Sequence, residues 1–313
     1  MPAIQSIRVI RRKIRSIGNI KKITRAMQMV SAAKLKKVQE RLMAIRPYAD
    51  QIARFMDGLA GQAETLRHPL LRPRETVKRV GAVVIMADKG LCGSYNSNMM
   101  RYANRFLQEI GGPDRPEAGQ KARITPIGRK AVEAYRKQGA DIAETYQAVP
   151  ANITFAEVQK MTAPLVRSFL SGEVDEVYLL FTRYVNAITF KPGHVKFLPV
   201  TAAGPESKVQ GPKSDGGPGT EDRRLGTLGY EYEPEPAKIL DVLVPRYVEV
   251  TFHRLLLESM SSEHAARMNA MRNATDNATD LISSLTLTYN KARQAGITKE
   301  LLDIVGGVEA LKG

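Results

Sequence analysis

Tryptophan is absent from this 313-residue chain, cysteine occurs once and histidine only four times. A single cysteine, Cys92, cannot close an intramolecular disulfide, which excludes a secreted disulfide scaffold and points to a reducing compartment. None of His68, His194, His253 and His264 stands with Cys or Asp at ligand spacing. His253 and His264 are about three helical turns apart, too far to share an ion, so no metal site is expected. Cys92 has no nearby residue to act as its base, which argues against a nucleophile. No run approaches the ~18 apolar residues of a membrane span, and the N-terminus lacks the short apolar core of a secretory signal. Direct membrane insertion is not expected, and any membrane association is peripheral. Neither G-x-G-x-x-G nor G-x-x-x-x-G-K-[ST] occurs; the nearest substitute is the turn Gly90-Leu-Cys-Gly93, which reads first as a tight strand-to-helix connection. No cofactor is expected.

What is present is a soluble globular composition, 43% hydrophobic and 25% charged, with a net charge of +15. That charge is concentrated. Residues 1–60 hold 14 Lys/Arg against 3 Asp/Glu, whereas residues 241–313 hold 8 against 9. The basic segment has a strong period: Ile4, Ile7, Ile10, Ile14, Ile17, Ile20, Ile23, Met27, Val30, then Val38, Leu42 and Ile45. Gaps of three and four predict one apolar stripe on a long helix, running through about residue 58 and roughly 80 Å long at ~1.5 Å per residue.

A helix of that length needs a partner, and the other end of the chain supplies one. Arg246 to Val305 contains no proline and a single glycine, Gly296. Within it Ala266, Ala270, Ala274 and Ala278 stand four apart, flanked by Leu256, Met260, Leu281 and Leu285, a pattern that lets two helices approach closely in a coil.

Between the helices the period changes. Val80 to Ala87 is a continuous apolar run ending in Asp88-Lys-Gly-Leu-Cys-Gly93, with a helix from near Asn96. Arg123–Gly128 before Arg129–Gln138, and Phe155–Leu170 before Glu176–Thr182, repeat the grammar, and Ile188–Val200 reads as a further strand. An open, mainly parallel sheet with helices on its faces is expected. Residues 201–222, rich in Gly, Pro, Ser, Lys and Asp, cannot bury a core and read as a surface loop. The expected divisions are an N-terminal helix at 1–60, an α/β domain at 76–240 and a C-terminal helix at 241–313.

Two stretches at opposite ends carry a resemblance. Ile14-Arg-Ser-Ile-Gly-Asn-Ile-Lys-Lys-Ile-Thr-Arg-Ala-Met-Gln-Met-Val-Ser-Ala-Ala-Lys-Leu35 and Tyr289-Asn-Lys-Ala-Arg-Gln-Ala-Gly-Ile-Thr-Lys-Glu-Leu-Leu-Asp-Ile-Val305 resemble the gamma-subunit family of F-type ATP synthases, bacterial type. The order of elements agrees over nearly the whole chain. Two departures are Gly307-Val308, where the family usually has Gly-Ala, and a longer loop at 201–222.

The resemblance implies a long antiparallel coiled coil of the N- and C-terminal helices plus a Rossmann-like open α/β domain. It implies a rotor shaft, without catalysis of its own, standing in the ring of alpha and beta subunits, with the α/β domain as a foot on the membrane c-ring that also binds the epsilon subunit. Met27 falls where the family's shaft meets an acidic loop of beta, with Lys21, Lys22 and Arg25 nearby on the basic side of that contact. Arg293, Gln294, Thr298 and Glu300 match the residues that hydrogen-bond a beta-subunit catch loop. Tyr230 and Tyr232 are candidates for contacts to epsilon or the rotor ring. The redox-switch cysteine pair of chloroplast members is absent, and with no transit peptide the expected location is the cytoplasmic face of a bacterial plasma membrane.

Two other classes compete. A basic helical nucleic-acid-binding protein would explain the charge, but residues 1–40 hold no aromatic for base stacking. A doubly wound enzyme would bind phosphate at Gly90–Gly93.

Overall fold

The computed structural model describes residues 7–60, 68–110, 122–200 and 236–312. In chain order they form α1 (Ile7–Ala60), β1 (Val80–Ile85), α2 (Tyr95–Ile110), β2 (Arg123–Ile127), α3 (Arg129–Lys137), α4 (Phe155–Leu170), β3 (Glu176–Tyr184), β4 (Phe190–Leu198) and α5 (Pro236–Lys312). The 201–222 loop and both Tyr230 and Tyr232 lie outside the described residues. The chain divides into two compact units, one of Met1–Ala32 with Arg267–Gly313, the other of Ala33–Ala266.

In the larger unit the strands run β2-β1-β3-β4. β1 pairs in parallel with β2 and β3, and β4 closes antiparallel on β3. β1 is buried along its whole length, as a strand covered on both faces must be. Its alternate residues separate two cores. Ala82, Val84 and Met86 pack with Met99, Ala103 and Phe106 of α2 and with Ala131 and Tyr135 of α3. Val83 and Ile85 join Val158, Met161, Leu165 and Phe169 of α4, together with the parts of α1 and α5 that belong to this unit. α4 begins on a capping box: the Thr154 side chain accepts from Glu157 N–H, and Glu157 accepts from Thr154 N–H.

The proline-free stretch Arg246–Val305, expected within a C-terminal helix at 241–313, is part of a longer helix that begins at Pro236 and passes through Pro245. An internal proline costs a helix ~3 kcal/mol. Tyr247, Val248, Val250 and Phe252 follow it into the core. Each such burial contributes roughly 1.5–3 kcal/mol, so packing outweighs the lost hydrogen bond.

The smaller unit is an antiparallel coil. Thr24 meets Thr275 at 2.7 Å. Seventeen residues earlier on α1, Ile7 lies 3.8 Å from where a Cβ on Gly296 would be, so one helix ascends as the other descends. The seam on α1 is Ile10, Ile14, Ile17, Lys21, Thr24, Gln28 and Ser31, all buried or half-buried and spaced alternately four and three. On α5 it is Met271, Thr275, Ala278, Ile282, Leu285, Tyr289, Ala292 and Gly296, in the same alternation.

This seam corrects the expected stripe. Ile20, Ile23 and Val30 are 50%, 59% and 56% exposed, and the polar residues one position later take their place. A count of apolar gaps allows two successive steps of three at Ile17, Ile20 and Ile23, but a sustained heptad does not. Of the alanine row, Ala278 is buried in the coil, while Ala266 belongs to the larger unit and packs with Ala87, Cys92 and Tyr95. Leu281, one of the expected flanks, is 48% exposed.

Candidate functional site

The chain offers two candidate surfaces: the carboxyl end of the sheet, where open α/β folds bind ligands, and the outer surface of the coil.

At the carboxyl end, β3 outruns β1, whose last partner is Leu180. The backbone groups left over on β3 are satisfied by α5. Ser259 Oγ accepts from Thr182 N–H at 3.3 Å, Ser262 Oγ donates to Thr182 O at 2.9 Å, and Glu258 accepts from Tyr184 N–H at 3.2 Å. Tyr95, at the start of α2, brings its hydroxyl to 2.9 Å from Ser259 Oγ. Burial pushes that phenol's pKa above its ordinary value, with Glu263 adding to the effect, so it serves as a neutral hydroxyl. Thus α5 fills the position beside the strand ends that a doubly wound enzyme would leave to a ligand.

The glycine turn beside it is occupied by its own contacts. Asp88 accepts from the N–H groups of Arg129 and Ala148, both at 2.9 Å. Asn96 accepts from Ala87 N–H and donates to the buried Cys92 sulfur. Gly128, at φ 92°, closes onto β1: a Cβ there would stand 2.0 Å from the Met86 carbonyl oxygen, which only glycine permits. The turn is the strand-to-helix connection expected of it.

Of the predicted contact residues on α1, Lys22 and Arg25 are exposed, Met27 is half-buried, and Lys21 is half-buried in the seam. Arg293, Gln294, Thr298 and Glu300 are all exposed on α5, where the Thr298 hydroxyl donates to Gln294 O at 3.0 Å. The two sets are not brought together. Thr24 marks the height of Thr275 and Ile7 that of Gly296, so the sets stand about 30 Å apart along the coil at ~1.5 Å per residue. Sequence reasoning missed the hydroxyl layer between the helices, Thr24 with Thr275. Its only signal is two threonines at heptad spacing from apolar seam residues.

Among the described residues no group of three or more His, Cys, Asp or Glu could hold a metal ion, and no helix is long and apolar enough to cross a membrane. Burial lowers the pKa of His68, His194 and His253, against the pull of Asp241 on His68 and of Glu109 on His194, and with Arg41 adding to the effect at His253.

Residues 6–311 match the family described as ATP synthase. The ATP synthase gamma chain of Heliobacterium modesticaldum is 43% identical over 97% of this chain and 99% of its own length. That of Symbiobacterium thermophilum is 40% identical over 98% of each. Among solved structures, a chain of the Euglena gracilis mitochondrial ATP synthase in the OSCP/F1/c-ring assembly is similar in fold, with a TM-score of 0.64, 24% identity and coverage of 98% of this chain and 94% of that one. A chain from the rotor of the same synthase gives a TM-score of 0.62 at 23% identity, covering 93% and 99%.

Proposed function

This chain belongs to the ATP synthase gamma-chain family, whose member is the non-catalytic rotor-shaft subunit of a membrane-associated complex, and on that premise we propose how it engages its neighbours. The antiparallel coil stands within a ring of alpha and beta subunits, and ion-driven rotation of the membrane c-ring turns it. Its uneven surface then moves the beta subunits in sequence through their nucleotide states. The divisions at 1–60 and 241–313 supply the shaft where they form the coil, and 76–240, with the parts of α1 and α5 packed in its core, is the foot on the c-ring and the epsilon subunit, with Tyr230 and Tyr232 as contact candidates. The complex lies at the cytoplasmic face of a bacterial plasma membrane, a location supported by the bacterial sources of the relatives named above.

The observation that carries this reading is the height difference along the coil. Two sets that cannot belong to one small ligand site suit successive contacts with surrounding subunits: the exposed Lys22 and Arg25 with the half-buried Lys21 and Met27 at one level, and the exposed Arg293, Gln294, Thr298 and Glu300 about 30 Å away. The charge of α1 fits an acidic loop of beta, so the nucleic-acid alternative has no separate feature to explain.

Met27→Lys tests it. An added cation strengthens a contact that must break at each step, so ATP-driven proton pumping in inverted membranes falls while the amount of assembled complex is unchanged. Undiminished pumping would count against the assignment of Met27.

A further inference from the structure

Between residues 20 and 31, α1 carries two heptad frames side by side. The frame in the seam is polar: Lys21, Thr24, Gln28 and Ser31. The frame one residue earlier is apolar, comprising Ile20, Ile23, Met27 and Val30, and three of these four are half exposed or more. One residue is about 100° around a helix, so a turn of that size exchanges the frames. The two cannot both continue the seam of Ile10, Ile14 and Ile17 without strain. From Ile17 the polar frame is entered by a step of four, which keeps the heptad, and the apolar frame by a step of three, which overwinds a coil locally.

The hydrophobic effect favours the apolar frame in the seam, and the heptad continuity favours the polar one. Heptad continuity prevails in what is observed, and the hydroxyl layer closes on it at little cost or gain. Thr24 and Thr275 share a 2.7 Å hydrogen bond across the coil, and each also lies within reach of a carbonyl of its own helix, Lys21 O at 3.1 Å and Met271 O at 2.8 Å. Each hydroxyl has one proton, so the two threonines make two of these three bonds at a time. When the layer opens, both hydroxyls donate within their own helices and neither is left unsatisfied. The hydrogen bond across the coil is therefore cheap to release.

We propose that this stretch is a latch with two packings. In the observed one the polar frame faces α5 and the Thr24–Thr275 layer is closed. In the second, α1 between Ile17 and Ser31 turns by about one residue step and lays Ile20, Ile23, Met27 and Val30 against the face of α5 centred on Met271, Thr275 and Ala278. The covering surface is the chain's own second helix.

Disulfide trapping in the full chain, purified within its complex and with Cys92→Ser as background, separates the two. Gln28→Cys with Met271→Cys reports the observed packing, and Met27→Cys with Met271→Cys reports the second. Both pairs cross-link, and Ile20→Ser with Ile23→Ser lowers the second yield about five-fold while leaving the first unchanged. The proposal is overturned if the Met27→Cys pair cross-links no more than Arg25→Cys with Met271→Cys, or if its yield ignores the serine substitutions. It is equally overturned if both yields fall together, since Ile20 and Ile23 would then support a single packing.

Discussion

The hydroxyl of Tyr95 lies 2.9 Å from that of Ser259, joining the start of α2 to the middle of α5 across 164 positions of sequence. Ser259 is fully buried and also accepts from Thr182 N–H, so one serine ties the helix to the strand end and to the tyrosine. Ser259→Ala leaves the Thr182 N–H buried and unpaired, whereas Tyr95 retains the Ser259 carbonyl oxygen at 3.2 Å. The expected loss is about 1–3 kcal/mol by urea denaturation, and Tyr95→Phe, which leaves the strand contact intact, costs about 1 kcal/mol. Equal costs for the two substitutions would contradict the strand-capping role.

Tyr135 presents the opposite case. Its hydroxyl is buried on α3 with no hydrogen-bond partner among the described residues. Tyr135→Phe is therefore neutral or stabilising by up to about 1 kcal/mol at neutral pH. Burial pushes its pKa up to about 12, above the value near 10 of an unfolded tyrosine. The group's contribution is present below pH 10 and is lost as pH rises towards 12. Stability of the wild-type chain declines through that window, and the phenylalanine variant declines less steeply in alkaline urea titrations.

The histidines act at the other end of the scale. His68, His194 and His253 have pKa values lowered by burial, so the folded chain holds them neutral more firmly than the unfolded chain does. Their contribution is present above an unfolded value near 6.5 and is lost as pH falls. The urea midpoint drops between pH 7.5 and 5.5, and replacing His194 and His253 with Gln reduces the drop. A midpoint that is flat over this range in the wild type would refute the assignment.

The sheet was legible because its signals are local. The run from Val80 is apolar enough for a strand covered on both faces, and Phe155–Leu170 ends where its helix ends. The helix start at Pro236 was hidden because a proline rule weighs only the local hydrogen bond, while Tyr247 to Phe252 are held by a core assembled from distant strands. The coil seam was off by one residue for a related reason. Periodicity ranks Ile20 over Lys21, but which face is inside depends on the partner helix, and Thr24 is matched to Thr275 from 251 residues away. The contacts proposed at 21–27 and 293–300 rest on resemblance alone; the exposure of Lys22, Arg25, Arg293 and Glu300 is ordinary for charged helix surface, and the separation of the two sets along the coil became visible only once the register was known.

If this chain is the shaft of a rotary ATP synthase, the other subunits of the head travel with it. A tagged copy is purified from detergent-solubilised membranes of its own cells with nuclease present, and the eluate is assayed by mass spectrometry and for ATPase activity. Alpha and beta subunits are expected in several-fold excess over the tagged chain, together with ATP hydrolysis. Recovery of the chain alone, or bound to nucleic acid whenever nuclease is omitted, would contradict the shaft assignment.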